Sequence, residues 1–566
     1  MSEDSLSKLY VSRQEKLLNF LGHLHSNKWF IAGVIAIALT TYFWNAQRAI
    51  DDPEWDETYY LRRAIAVDEG NIVDANLGDL RNSPVMILYY AAWYKLVPST
   101  AVYNVVLISG VWLMTYAAYV LMMRVFHPLL SGAFALLIAM TSTPQMPNNM
   151  RFSFGTALLW GALYLLGGKK PTSRALAVLV MLLAFMVRPE FLSCLVILIP
   201  GLCYFEWRKV RSRDQSKAYT LLAYAPVLIL LAFTVVRLVQ LSPYEEPRIV
   251  RTVPFSYGVY LERFQPGRLN ITTNYDNQAA FRDDFGLQGK ATLTSELIAM
   301  AAHLDKSLPF LAYNTIRLWG AFSLAFFDSW HWQFGDSFWV YPTWVNSVGF
   351  TLVALAFGIV SVLAYRSARK RHYRLPASLD TPSILGYIAL AMLIPWLLII
   401  NPDQRAFMIL PLVLLPVGLG ITAIAAHLHP PRWLPTAVIL AALIVMPRPF
   451  SVTPTQFRAR DTESFIRENI PSYGVVVGTP IESYYNSLYA NQYKIVPVDS
   501  FDVNSPVLLN LYKADPSIEY VLTTYYFPQD YYKQWFAEWD AAYPTLHWQL
   551  IAEKPELQLG LYKLQK

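Results

Sequence analysis

Long apolar runs separated by short polar turns dominate the chain, and their lengths predict helices that cross a bilayer. Runs at 29–44, 103–123, 128–143, 152–168, 175–187, 191–207, 219–241, 343–365, 382–400, 406–427 and 434–446 approach or reach the length that a helix needs to span the hydrocarbon. Eleven spans are expected. Residues 1–28 are polar and basic through Lys8, Arg13, Lys16 and Lys28, and the first run ends at Asn45 without a small-residue cleavage site. It therefore reads as a retained span and not as a signal peptide.

Positive charge in short loops sets the orientation. With the N-terminus inside, the inner loops carry Arg124; Lys169, Lys170 and Arg174; Arg208, Lys209, Arg211, Arg213 and Lys217; Arg366, Arg369, Lys370, Arg371 and Arg374; and Arg432. Every strongly basic short loop then lies on one side. Two semi-apolar stretches, 84–97 and 308–327, would move several of those loops outside if only one of them were counted as a span. Both are therefore expected to lie at the outer interface, flat or partly re-entrant. An odd number of spans places the C-terminus outside.

The pattern changes after residue 447. A helix is expected at 462–469, a β-branched run at 474–478, a helix at 481–490, strands at 494–498 and 520–523, a helix at 529–541, and paired end strands at 549–552 and 559–563. Such alternation predicts a small α/β domain. No internal repeat, low-complexity tract or heptad array is visible.

Composition sharpens this picture. Only 15% of the 566 residues are charged and 55% are hydrophobic, too few charges for an ordinary soluble enzyme or a disordered tail. The formal charge of +6 is accounted for by the inner loops and gives no reason to expect nucleic acid. The two cysteines, Cys194 and Cys203, share one apolar run, so no disulfide framework holds an outer domain together. Absence of outer cysteines, of an endoplasmic reticulum retrieval signal and of multiple sequons favours a bacterial cytoplasmic (inner) membrane.

The densest chemistry follows the first span. Asp51, Asp52, Glu54, Asp56 and Glu57 place five carboxylates within seven residues, interleaved with Trp55, Tyr59 and Tyr60 and followed by Arg62 and Arg63. Mutual repulsion raises the pKa of some members of such a cluster unless cations compensate, which suits a general base or a metal ligand. A solvated acidic loop is the plainer alternative. The interleaved aromatics favour packing at the headgroup level instead.

An Asp-Glu pair, here Asp56 and Glu57, in the first outer loop of a multi-span protein resembles the signature of GT-C glycosyltransferases. The protein O-mannosyltransferase and aminoarabinose lipid A transferase branches are the nearest analogues. The resemblance covers the span layout of roughly residues 20–447. It implies an α-helical polytopic membrane protein with about eleven transmembrane helices and a C-terminal exoplasmic α/β domain. The expected organisation is a cytoplasmic segment at 1–28, a transmembrane glycosyltransferase domain at 29–447 with outer loops 45–102 and 242–342, and a periplasmic domain at 448–566. It further implies transfer of a sugar from a polyprenyl-phosphate donor to a cell-envelope glycan, lipid or protein, with inversion, at the outer face. By this resemblance Asp56 is the base, and Glu57 orients the acceptor or the backbone, or exchanges roles with Asp56. Trp55, Tyr59 and Tyr60 are candidates for contacting acceptor or sugar.

Arginines against the orientation trend are the candidate phosphate ligands. Arg151 opens the fourth span, Arg188 lies between two spans, and Arg405 precedes the tenth. A charge at the membrane edge calls for a partner, and guanidinium donates two bonds to phosphate. Arg405 ranks first because the resemblance implies a basic residue in this late outer turn. Snorkelling, or ion pairs of Arg188 with Glu190 and of Arg405 with Asp403, are the structural alternatives.

The nine histidines lack metal spacing, and no phosphate-binding glycine loop is present. Metal-independent transfer is favoured. If a divalent metal is used, Asp52, Glu54 and Asp56, with Asp51, are its candidate ligands, and Asp283 and Asp284 loosely match the acidic ligands that metal-dependent relatives carry in a second outer loop. Aromatic and basic residues interleave in the loop from Ser242, suiting either sugar stacking or a cap on the membrane surface. Two other functions are weighed: a polysaccharide polymerase or ligase, which rests on outer arginines and histidines, and a lipid or glycan transporter or flippase, which favours charges and broken helices at the midplane.

Overall fold

The computed structural model describes residues 24, 26–43, 55–71, 77, 83–97, 102–140, 150–241, 248–265, 268, 274–287, 293–327, 344–370, 380–399, 406–428, 465, 468–470, 474–478, 494–497, 506–523, 529–557 and 559–565. Helices come first: α1 (Lys28–Phe43), α2 (Trp55–Asp68), α3 (Pro84–Leu96), α4 (Val102–Met122), α5 (Pro128–Met140), α6 (Met150–Leu166), α7 (Pro171–Val187), α8 (Leu192–Arg211) and α9 (Lys217–Leu241). There follow α10 (Arg248–Phe264), α11 (Asn274–Phe285), α12 (Leu293–Ala302), α13 (Leu304–Phe327), α14 (Trp344–Lys370), α15 (Thr381–Ala391), α16 (Leu393–Ile399) and α17 (Leu410–Leu428).

Helices occupy ten of the eleven expected spans, and the eleventh, 434–446, lies outside the described residues. Among the described residues, five segments are long and apolar enough to cross a membrane: Val105–Met122, Lys217–Val236, Val348–Ser367, Thr381–Ile399 and Ala406–Leu428. Four shorter apolar helices accompany them, at Lys28–Thr40, Pro128–Ala139, Arg151–Leu166 and Pro171–Val187.

Two expected spans are not uninterrupted helices. The run 382–400 divides at Met392, because Pro395 lacks an N–H and its ring crowds the carbonyl one turn earlier. The run 406–427 opens with a tighter 3-10 turn, Ala406–Ile409, ahead of Pro411 in the first turn of α17.

The chain forms two compact units. The first comprises Met1–Trp44, Asp79–Ser83 and Ile108–Ser451. Helix α1 starts where Asn27 Oδ1 accepts the Trp29 amide at 2.9 Å, and its backbone is tied to α4 through Tyr116 Oη to the Ala32 carbonyl (2.9 Å) and Tyr119 Oη to the Lys28 carbonyl (2.8 Å). Small residues allow close helix packing: a Cβ on Gly420 of α17 would come within 2.8 Å of the Phe357 ring of α14. At the basic end of α7, buried Arg174 bonds Glu206 of α8 through Nε (2.5 Å) and Nη2 (3.0 Å). Gln215 and Tyr224 donate to the same carboxylate at 2.8 and 3.0 Å, so the pair is held by a connected polar network.

The second unit comprises Asn45–Gly78, Pro84–Leu107 and Val452–Lys566. Helices α2 and α3 pack together with Tyr60 stacked on Tyr90, ring centroids 6.3 Å apart. The tail holds β1 (Val475–Gly478), β2 (Lys494–Pro497), α18 (Val507–Ala514), β3 (Tyr520–Thr523), α19 (Gln529–Ala542), β4 (His547–Lys554) and β5 (Leu559–Gln565). The sheet order is β2-β1-β3-β5-β4, with β1 parallel to β2 and β3, and β5 antiparallel to β3 and β4. Its central strands are buried on both faces. Val477 and Val521 meet Tyr532, Trp535 and Trp539 of α19, while Val476, Tyr520 and Leu522 face Phe465 and Ile470. Tyr532, Trp535 and Trp539 thus form part of the core of this sheet. The expected helix 481–490 lies outside the described residues.

Candidate functional site

In the first unit, the turn between α7 and α8 builds a buried cationic cluster. Arg188 precedes Pro189, which drives it to extended backbone (φ −138°, ψ 106°) and ends α7 at Val187. Its side chain, 2% exposed, lies with its guanidinium carbon 3.5 Å from the centroid of Phe152. Arg151 sits beside the same ring at 5.5 Å, so α6 contributes both the aromatic surface and a second guanidinium.

Glu190 forms an ion pair with Arg188 Nη2. The turn is pinned further by Ser83 Oγ, which donates to the Val187 carbonyl at 2.8 Å. Space for Arg188 depends on a missing side chain, since a Cβ on Gly155 of α6 would lie 3.0 Å from Arg188 Cγ and 3.2 Å from Val187 Cγ1. Two of the three candidate phosphate ligands therefore share one ring, and one of them is already matched to a carboxylate.

Arg405 lies outside the described residues, but the described residues on either side of 400–405 are anchored. Before it, Asn314 Nδ2 of α13 donates to the Leu398 carbonyl at 2.7 Å and to Ser256 Oγ of α10 at 3.2 Å. After it, Trp160 Nε1 of α6 donates to the Met408 carbonyl at 3.0 Å, and Ala406–Ile409 are all buried. These side chains are remote in sequence, and nothing in the apolar runs marked them.

The acidic cluster belongs to the second unit. Asp51, Asp52 and Glu54 lie outside the described residues, as do the side chains of Trp55, Asp56, Glu57 and Tyr59. The backbone nevertheless places Asp56 and Glu57 in the first turn of α2, where a helix favours negative charge. Farther along, Tyr60, Leu61, Ala64 and Ile65 are buried, and positions 56 and 57 continue this stripe one turn earlier in helical register. Tyr60, a candidate sugar or acceptor contact, is fully buried against Tyr90.

The segment 248–313 of the first unit gathers a polar triad beside an aromatic cluster. Asp284 accepts from Tyr257 Oη at 2.9 Å and from Arg268 Nη2 at 2.8 Å. Lys306 Nζ donates to the Asp284 carbonyl. Burial, and then the Asp284 carboxylate, push the Tyr257 hydroxyl above the ordinary tyrosine value. Asp284 is thus committed to structural partners. Among the described residues no three His, Cys, Asp or Glu side chains gather as a metal site.

No protein-family model matches the chain. No curated protein matches it either. Similar solved structures include the archaeal oligosaccharyltransferase AglB from Archaeoglobus fulgidus in complex with an inhibitory peptide and a dolichol-phosphate, at 12% identity and a TM-score of 0.36, covering 88% of this chain and 69% of that one. The apo form of the Archaeoglobus fulgidus oligosaccharyltransferase gives a TM-score of 0.39 at 12% identity with the same coverages. Its complex with zinc and sulfate gives 0.34 at 11% identity, covering 87% and 67%. Scores of this size carry no functional argument, which rests on the residues instead.

Proposed function

We propose that the chain is an integral membrane glycosyltransferase that moves a sugar from a polyprenyl-phosphate donor to a cell-envelope glycan, lipid or protein at the outer face of the cytoplasmic membrane. The observation that carries the reading is the position of Asp56 and Glu57. Both open α2, shortly after the first apolar helix, in a chain whose described residues include five helices long and apolar enough to cross a bilayer.

In the proposed reaction the acceptor hydroxyl attacks the anomeric carbon while Asp56 takes its proton. The bond from that carbon to the phosphate oxygen breaks, and the lipid phosphate leaves with the electron pair. Attack opposite the leaving group inverts the anomeric centre. The departing phosphate needs cations, and Arg405, Arg188 and Arg151 are assigned to it. Arg188 would exchange its Glu190 partner for phosphate oxygens. A guanidinium held on an aromatic face is already oriented for that exchange. Glu57 is assigned to orient the acceptor, with Trp55 and Tyr59 as sugar contacts. We propose metal-independent transfer, because Asp283 and Asp284 match the second-loop ligands of metal-dependent relatives only loosely and Asp284 is already bonded to Tyr257 and Arg268.

The test is incubation of purified protein with labelled polyprenyl-phosphate sugars, scoring release of the lipid phosphate with and without a chelator. Turnover that survives the chelator is expected. Failure of every donor to bind would refute the assignment.

A further inference from the structure

We propose that α13 is inserted among lipid acyl chains, with the face from Leu308 to Trp319 against the hydrocarbon of the outer leaflet. The inference rests on reading the chain as a membrane protein, but not on the reaction assigned to it.

The evidence is an inverted distribution of polarity. Leu304, Leu308, Ala312, Thr315, Ile316 and Trp319 are exposed and, at 3.6 residues per turn, fall within an arc of about 120°. Leu308 and Ile316 are 59% and 62% exposed. The opposite arc buries Asn314 and Arg317, at 0% and 3% exposure, together with Ser307 and Phe310. A helix lying on a water-facing surface does the reverse.

The neighbouring α10 supplies the contrast within the same segment. It buries Val253, Tyr257 and Leu261, with Ser256, and exposes Glu262 and Arg263 beside Phe264 at its C-terminal end, an arrangement that suits headgroups. Helix α13 inverts that rule, and the hydrophobic effect permits the inversion only where the outside is also apolar.

Two details identify acyl chains as the occupant. The exposed Thr315 hydroxyl is satisfied inside its own helix, donating to the Leu311 carbonyl at 2.8 Å, which is how a hydroxyl facing hydrocarbon removes its own cost. The stripe is also continuous with an apolar membrane-length helix. Trp319 Nε1 donates to Thr351 Oγ1 of α14 at 2.8 Å and its ring packs on Phe350 at 4.8 Å, beside the exposed Val348, Leu352 and Leu355 of that helix. Asp305, exposed near the N-terminal end of α13, marks where the helix leaves the headgroups. From Leu308 to Trp319 the apolar stripe is about 16 Å long, enough to dip into one leaflet but not to cross the bilayer.

The test uses the full chain, with Cys194 and Cys203 replaced by serine, reconstituted in phosphatidylcholine vesicles. Single cysteines are introduced as Leu308→Cys and Ile316→Cys in α13, Glu262→Cys in α10 and Ile359→Cys in α14, each labelled with a bimane fluorophore. Phospholipids brominated along the acyl chain should quench labels at 308 and 316 as strongly as at 359, whereas aqueous iodide should reach the label at 262. Iodide quenching at 308 and 316 without bromine quenching would overturn the proposal. Shielding from both quenchers, as a second copy of the chain on this face would give, would overturn it too. Loss of bromine quenching at 359 as well would sink the membrane reading itself, and retained enzymatic turnover would separate that outcome from failure of the proposed reaction.

Discussion

Asn314 and Leu398 are joined by a part-buried hydrogen bond of 2.7 Å, side-chain amide to backbone carbonyl, seven residues before Arg405 in the chain. The bond holds the chain ahead of residues 400–405, as Trp160 holds it after them at Met408. Asn314→Leu leaves the Leu398 carbonyl without this donor, at a cost of about 1–3 kcal/mol. The expected kinetic signature is a lowered kcat for the donor reaction, with kcat/KM falling at least as far, because Arg405 is assigned to the charge that develops on the departing phosphate. Steady-state kinetics on the variant, with a thermal melt to confirm folding, checks this.

Gly155 and Gly161 lie on the same helix and should respond oppositely to alanine. A Cβ at 155 meets Arg188 and Val187 at 3.0 and 3.2 Å, whereas one at 161 meets nothing within 4 Å. Gly161→Ala should raise the melting temperature, since alanine favours helix over glycine by about 0.5–1 kcal/mol. Gly155→Ala should lose that gain to overpacking and should weaken donor binding through Arg188. Equal behaviour of the two variants in melting and donor titration would contradict the packing described.

Arg188→Gln should destabilise the protein more than Arg151→Gln. The former removes the buried ion pair with Glu190, a change that costs about 3–5 kcal/mol in buried pairs, while Arg151 is only partly buried. Chemical denaturation in a fixed detergent compares them.

Tyr257 gives a pH signature. Burial and then Asp284 raise its hydroxyl above the ordinary tyrosine value near 10, so the folded state holds this proton more tightly than the unfolded chain does. Its contribution is complete below that ordinary value and falls as the pH rises beyond it. Tyr257→Phe removes the ionisation, so melting temperature measured from pH 8 to 11 should decline less steeply in the variant.

Most of the architecture was legible from apolar run length. Pro395 and Pro411 were visible too, yet a hydropathy pattern spreads across a proline, so the break at Met392 and the 3-10 turn at Ala406 escaped it. Helix α18, only eight residues long, is too short for its periodicity to stand out beside the strands around it. The site was legible in part. Arg188 and Arg151 stood out as charges against the orientation trend, and Arg188 proved to be paired with Glu190, one of the alternatives weighed. Asn314, Trp160 and Gly155 were invisible, because their roles arise from contacts between helices far apart in the chain. The face of α13 was likewise hidden: a sequence shows that a helix is semi-apolar, but only coordinates show that Arg317 points inward.

The central claim is tested most directly by Asp56→Asn, which keeps the shape of the side chain and removes its basicity. Binding of a labelled polyprenyl-phosphate sugar and release of the lipid phosphate are measured on the same preparation. The account predicts retained donor binding with turnover reduced by about 100-fold or more, the usual scale of a general base. Unaltered turnover would contradict it.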